Sequence, residues 1–140
     1  MSDSANVELA RSIVASWDKG DYSSADWAHP AIELVAADGP APNSWTGLAG
    51  MAEGMRELLR AWKDFRIEPQ EYRDLGDERV LVFANYRGRG RTSGLELGGV
   101  HACGAGMFEF HDGKVTRYTF WLEEQNALTD LGIARRSGTA

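Results

Sequence analysis

The chain has 140 residues, enough to bury the core of one domain and too few for two of ordinary size. Its 21 acidic against 15 basic residues give a net charge of -6, which excludes the cationic face that phosphate backbones and anionic lipid require. No run of about 18 apolar residues occurs, and the opening MSDSANVELARSIVASWDKGD has no basic segment leading into an apolar one. A single cytoplasmic domain over residues 1–140 is expected, with neither nucleic acid nor membrane as partner.

The first predicted element is a helix starting at Asp3 or Ser4, whose side chains can accept from free backbone N–H groups. Val7, Ala10, Ile13, Val14 and Trp17 recur at helical spacing, and Gly20 ends it. Asp21 caps a second short helical stretch, YSSADWA, which His29-Pro30 breaks because the residue before a proline is pushed out of the α region. A strand follows over AIELVAAD. Its two-residue period puts Ile32, Leu34, Ala36 and Asp38 on one face, so a carboxylate ends an apolar row. Residues 39–47, with two of the four prolines, predict a loop over the surface or a pocket mouth. A third helix is predicted over 48–63, with Met51, Met55, Leu58, Leu59 and Trp62 on one stripe.

From Phe65 the pattern turns to strands: FRIEPQEYRDL, RVLVFANYRGRGR, SGLELGGVHACGAGMFEF and KVTRYTFWL, parted by turn signals of which Asp112-Gly113 is the firmest. Gly98, Gly99, Gly104 and Gly106 inside the third of these predict bulges or a sharp bend. A short helix over ALTDLGI closes the chain. A helix-rich half followed by a strand-rich half gives an α+β fold, with three N-terminal helices packed on a strongly curved, mostly antiparallel sheet around an apolar pocket.

The segments WDKGDYSSADWAHPAIE, SWTGLAGM, AWKDFRIEPQEYRDLGDERVLVFANYRGRGRTSGLELG and DGKVTR, with ALTDLGI thirteen residues after Lys114, resemble the SnoaL-like polyketide cyclase family of the nuclear transport factor 2-like superfamily. The resemblance covers nearly the whole chain. It implies a cone-shaped domain, a bent sheet wrapped against helices around an apolar cavity, and homodimers through the outer sheet face. It implies no single activity, because isomerases, cyclases, dehydratases, epoxide hydrolases and non-catalytic binding modules share this fold.

Asp38 is the candidate general base, since a desolvated carboxylate on the apolar row can take a proton from a carbon acid; as the first half of an Asp-Gly dipeptide it also fits a turn. It matches the base of ketosteroid isomerase by its nine-residue spacing before Gly47, but the positions corresponding to that enzyme's two oxyanion donors read Ile13 and Gly106 here. The histidine and aspartate of the cyclases correspond to Tyr118 and Phe120. Tyr118 keeps a hydroxyl for a substrate carbonyl, and Tyr86, in phase with Val82 and Ala84, can bring a second one to the same cavity. Trp17, Leu34, Leu59, Tyr86, Phe108 and Phe120 are the expected lining, which suits a small, flat, hydrophobic molecule.

His29, His101 and His111 stand singly, so no metal site is expected. The glycines and arginines of RGRGRTSG match neither a dinucleotide nor a P-loop fingerprint, and no cofactor is expected. Cys103 reads as a packing residue and Glu123 as a carboxylate near a helix start. The two functions in view are a cofactor-free isomerase, cyclase or dehydratase acting on a carbonyl compound, and a non-catalytic ligand-binding or dimeric accessory module.

Overall fold

Two faces of one sheet divide the apolar residues of this chain. In the computed structural model, which describes residues 3–19, 21, 26–38, 43–90, 96–97 and 103–133, the order is α1 (Asp3–Asp18), β1 (Ala28–Ala36), β2 (Asn43–Thr46), α2 (Gly47–Ala61), β3 (Trp62–Gly76), β4 (Arg79–Gly90), β5 (Glu96–Leu97), β6 (Cys103–His111), β7 (Lys114–Trp121) and α3 (Glu124–Leu131). The sheet runs β2-β1-β7-β6-β4-β3, with β5 paired to β4 off that path. Only the β1–β7 pair is parallel among these pairings, so the α+β sheet is mixed and mostly antiparallel.

Alternation along β4, β6 and β7 sorts the side chains. Val80, Val82, Ala84 and Tyr86 of β4, Phe108 and Phe110 of β6, Tyr118 of β7 and Ile32 and Leu34 of β1 share one core with Ala10, Ile13, Val14 and Trp17 of α1 and Met51 of α2. The in-between residues Leu81, Phe83, Ala105, Met107 and Trp121 form a second core on the other face with Ala127 and Leu128 of α3. The resemblance implies homodimers through this outer face. Here α3 covers it, and each of those five strand residues is at most 7% exposed within a single chain.

The predicted α1 stripe is present, with Ala10, Ile13, Val14 and Trp17 buried. Three predicted elements differ. Ala28, the last residue of the short helical stretch, is already in β1, and 22–25 lie outside the described residues, so the third helix seen is the C-terminal α3 and not an N-terminal one. Extended backbone before Pro30 continues as strand, and the β1–β7 register shifts between Ala28 and Glu33, the kind of irregularity that accommodates a proline in a sheet. Within the predicted 39–47 loop, Asn43–Thr46 is a strand, β2, paired to β1 with Trp45 opposite Leu34. Trp62 and Lys63, assigned to the third helix, begin β3.

The turns follow the sequence closely. Asp112 and Gly113 both take positive φ, 50° and 78°, the pairing that a two-residue hairpin between right-twisted strands demands. The β3–β4 hairpin does the same with Asp77 and Glu78, at φ 53° and 59°. Gly132, in the left-handed region, ends α3 by sending its N–H to Thr129 C=O.

Candidate functional site

Strand β6 lies between β7 and β4, and a tyrosine leans onto it from each side. Gly104 and Gly106 are the floor. A Cβ on Gly104 would stand 2.3 Å from Tyr86 Cε2, and one on Gly106 would stand 2.2 Å from Tyr118 Oη, so the rings occupy the space that side chains at these two positions would fill. The sequence predicts bulges or a sharp bend here; β6 keeps an unbroken register against β4 from Cys103 to Glu109, so neither glycine marks a bulge in that pairing. The glycines serve ring packing; Gly98 and Gly99 lie outside the described residues.

The two hydroxyls meet inside this apolar region. The Tyr86 O–H donates to Ala105 C=O at 3.1 Å, and Tyr86 is also hydrogen-bonded to Tyr118. Burial pushes the Tyr86 phenol well above its usual value, with the charges of Tyr118 and Asp38 and the bond to Tyr118 adding to that shift. Tyr86 therefore stays a neutral hydroxyl across the physiological range.

Aromatic rings surround the pair. The Tyr118 centroid is 4.6 Å from that of Phe108 and 5.2 Å from Trp17 in an edge-to-face arrangement, while Trp17 stacks on Phe108 at 5.9 Å. Phe120 stacks beside Tyr118 at 6.2 Å, and Leu34 is the register partner of Tyr118 on β1. Of the residues expected to line a pocket, Trp17, Leu34, Tyr86 and Phe108 are buried in one cluster with Tyr118, and Phe120 packs against it half-buried. Leu59 lies on α2, and its side chain is outside the described ones. Met55, Trp45 and Leu122 join Phe120 as partly exposed members of this shell.

Asp38 is placed differently from a base awaiting substrate. Two residues past the end of β1, its Oδ1 accepts the Leu122 N–H at 2.6 Å, and its Oδ2 accepts the Glu123 N–H at 3.2 Å and an Asn126 Nδ2–H at 2.8 Å. Both carboxylate oxygens are thus bonded to the β7–α3 junction. Glu123, the residue expected to favour that helix start, is the N-cap of α3 but makes no side-chain cap bond; the carboxylate there comes from Asp38. Nothing in the sequence around Asp38 announces partners 84 to 88 residues away. Asn126 was likewise not singled out, and the glycine pair was assigned to bending, although glycines two apart beside tyrosines on neighbouring strands are a signal that could have shown the ring seats.

The other candidates have local roles. His29 Nδ1 accepts the Ala31 N–H, exposed His111 pairs with Asp112, and His101 lies outside the described residues. The Cys103 thiol donates to Asn85 Oδ1 at 3.2 Å. Among the described residues no three His, Cys, Asp or Glu side chains gather as a metal site, and no helix is long and apolar enough to cross a membrane.

Known proteins bear on this arrangement in three ways. No curated protein matches the chain significantly. Solved structures share the fold: a nuclear transport factor 2-like protein of Burkholderia thailandensis (19% identity, TM-score 0.71, covering 82% of this chain and 88% of that one) and a candidate polyketide cyclase of Sinorhizobium meliloti (17%, 0.64, 86% and 99%). A third is TerC, co-crystallised with polyporic acid (23%, 0.69, 91% and 97%). The SnoaL-like domain model matches residues 10–118, well over half the chain and inclusive of both tyrosines. This chain belongs to the SnoaL-like domain family.

Proposed function

We propose that the chain binds one small, flat, hydrophobic molecule against the Tyr86–Tyr118 face of its inner core, with the hydroxyl pair as the polar anchor and the rings of Trp17, Phe108 and Phe120 as the apolar wall. The observation that carries this reading is the paired hydroxyls set among aromatic side chains, a chemistry that fixes the orientation of an otherwise apolar ligand. The half-buried Phe120, Met55 and Trp45, which are among the inner-core residues that keep contact with solvent, supply the side of entry. A fold relative co-crystallised with polyporic acid supports a ligand-binding use of this architecture.

A catalytic second reading has an observation of its own. The Tyr118 hydroxyl stands where a side chain at Gly106 would begin, so a hydroxyl occupies the place at which the resemblance found no donor. In that reading the reaction is a cofactor-free isomerisation, cyclisation or dehydration of a carbonyl compound, with Asp38 as base and Tyr118 as donor. The three bonds that hold Asp38 weigh against it, since the base would have to leave partners that fasten α3. Homodimerisation is proposed on the family resemblance alone. Native mass spectrometry of the purified protein is the test: a retained hydrophobic molecule at one per chain supports binding, accumulation of a product on incubation supports catalysis, and saturating mixtures of flat apolar compounds that leave only bare protein contradict both.

A further inference from the structure

The row of side chains that β1 presents to the inner core ends in a charge. Leu34 and Ala36 are the register partners of Tyr118 and Phe120, and Phe120 in turn faces Gly106, over which the Tyr118 hydroxyl stands. Past the strand's end the pairing persists for one more step: the Ala37 N–H donates to Phe120 C=O at 3.0 Å, and Ala37 packs against the outer core. Alternation then turns Asp38 to the inner side, level with Leu122, to whose N–H it is bonded and which itself packs against the inner core. Asp38, Phe120 and Leu122 are all half-buried, so the carboxylate stands at the rim beside the proposed entry.

Three bonds hold it there, and none removes its charge. The Leu122 and Glu123 N–H groups and the Asn126 amide are neutral donors. Of the basic residues of β7, Arg117 pairs with Glu33 and Glu109, and Lys114 donates to Asp26 C=O. A carboxylate fixed by three donors does not swing away from an incoming anion, and a half-buried position screens it less than bulk water would. Its field also reaches the hydroxyl pair, since Asp38 adds to the upward shift of the Tyr86 phenol.

We infer that Asp38 is a specificity-determining residue that sets the charge of the ligand: the site takes a flat apolar ring that is neutral or cationic and turns away one that carries a carboxylate. This rests on the binding reading above and narrows it.

The test is isothermal titration, at neutral pH, of 2-naphthoate, 2-naphthamide and 2-naphthamidine, which share one shape and differ in charge. In the wild-type protein the amidine should bind more tightly than the amide and naphthoate about tenfold more weakly than the amide, the size of one charge–charge contact several ångströms apart in such a setting. Asp38→Asn should bring naphthoate to within about threefold of the amide. Glu8→Gln removes a charge from the exposed side of α1 and should leave the wild-type ratio as it is. Naphthoate as tight as the amide in wild type, a ratio unmoved in Asp38→Asn, or an equal change in Glu8→Gln overturns the inference while the binding reading stands. Failure of all three to bind the folded wild type removes the binding reading and the inference together. Should Asp38→Asn not fold, the wild-type series decides: the expected order, unaltered by Glu8→Gln, supports the assignment, and any other order contradicts it.

Discussion

The Asp38 carboxylate accepts the Leu122 N–H at 2.6 Å, closing a contact between residues 84 apart in the chain. With the Glu123 N–H and Asn126 Nδ2–H it forms a clamp from the end of β1 to the start of α3. Hydrogen bonds to a charged group are the stronger kind, and removing the acceptor leaves partly buried donors without it. Asp38→Ala is expected to lose about 2–3 kcal/mol of stability, and Asp38→Asn, which keeps one acceptor oxygen, about half of that. Denaturant unfolding measures the loss, and amide exchange at Leu122 and Glu123, just past β7, should accelerate before that of the β7 amides. A variant as stable as wild type with those amides still protected would show that the clamp is not needed.

Gly104 and Gly106 predict two different failures. A methyl on Gly104 meets the Trp121 backbone oxygen at 2.4 Å as well as the Tyr86 ring, and neither a strand carbonyl nor a fully packed ring can retreat. Gly104→Ala should cost about 1–3 kcal/mol or more, as overpacking does. At Gly106 the three nearest atoms all belong to the Tyr118 side chain, with Oη at 2.2 Å. Gly106→Ala should cost less and move the Tyr118 ring, which near-ultraviolet circular dichroism records as a changed aromatic signal. Equal, negligible losses in both variants would contradict the seat geometry.

Tyr86 links the site to alkaline stability. Its folded value lies well above the unfolded value near 10, chiefly because burial disfavours the phenolate. The unfolded chain therefore gives up this proton first as pH rises. The associated stability is whole below about pH 10 and is lost upward from there, at up to about 1.4 kcal/mol per pH unit for one group. Tyr72, raised by its own half-burial, adds a smaller part with the same sign. Tyr86→Phe should show a shallower fall of unfolding free energy between pH 10 and 12 than wild type; parallel curves would mean that Tyr86 titrates as an exposed phenol does.

Local rules carried much of the fold into the sequence. The α1 stripe, the Asp112-Gly113 turn and the strands seen as β3, β4, β6 and β7 depend on neighbours within a few residues and follow the predicted spacing. The long strand predicted over 93–110 is described only as β5 and β6, with 98–102 outside the described residues. β2 was not legible, because a four-residue edge strand with three turn-forming neighbours takes its identity from pairing with β1. The site was legible in its apolar part: parity along β4, β6 and β7 puts Tyr86, Phe108, Tyr118 and Phe120 on one face. Its polar part was not. The partners of Asp38 lie across the sheet, and the role of Gly106 depends on a ring from the adjacent strand.

Assembly is open to a direct check. Homodimers are proposed from the family, whereas the outer-face residues Leu81, Phe83 and Trp121 are already buried under one chain's own structure. Sedimentation at micromolar concentration should give about twice the 15.4 kDa chain mass, and a species at 15.4 kDa would refute the dimer.

Chemical-shift mapping of the backbone amides during titration with 2-naphthol reads out where an apolar ring goes. Saturable shifts confined to 104–108, 118–121 and 34–36, saturating at one ligand per chain, are the predicted result. Shifts scattered over exposed residues, or none at saturating ligand, would contradict an anchor built from Tyr86 and Tyr118.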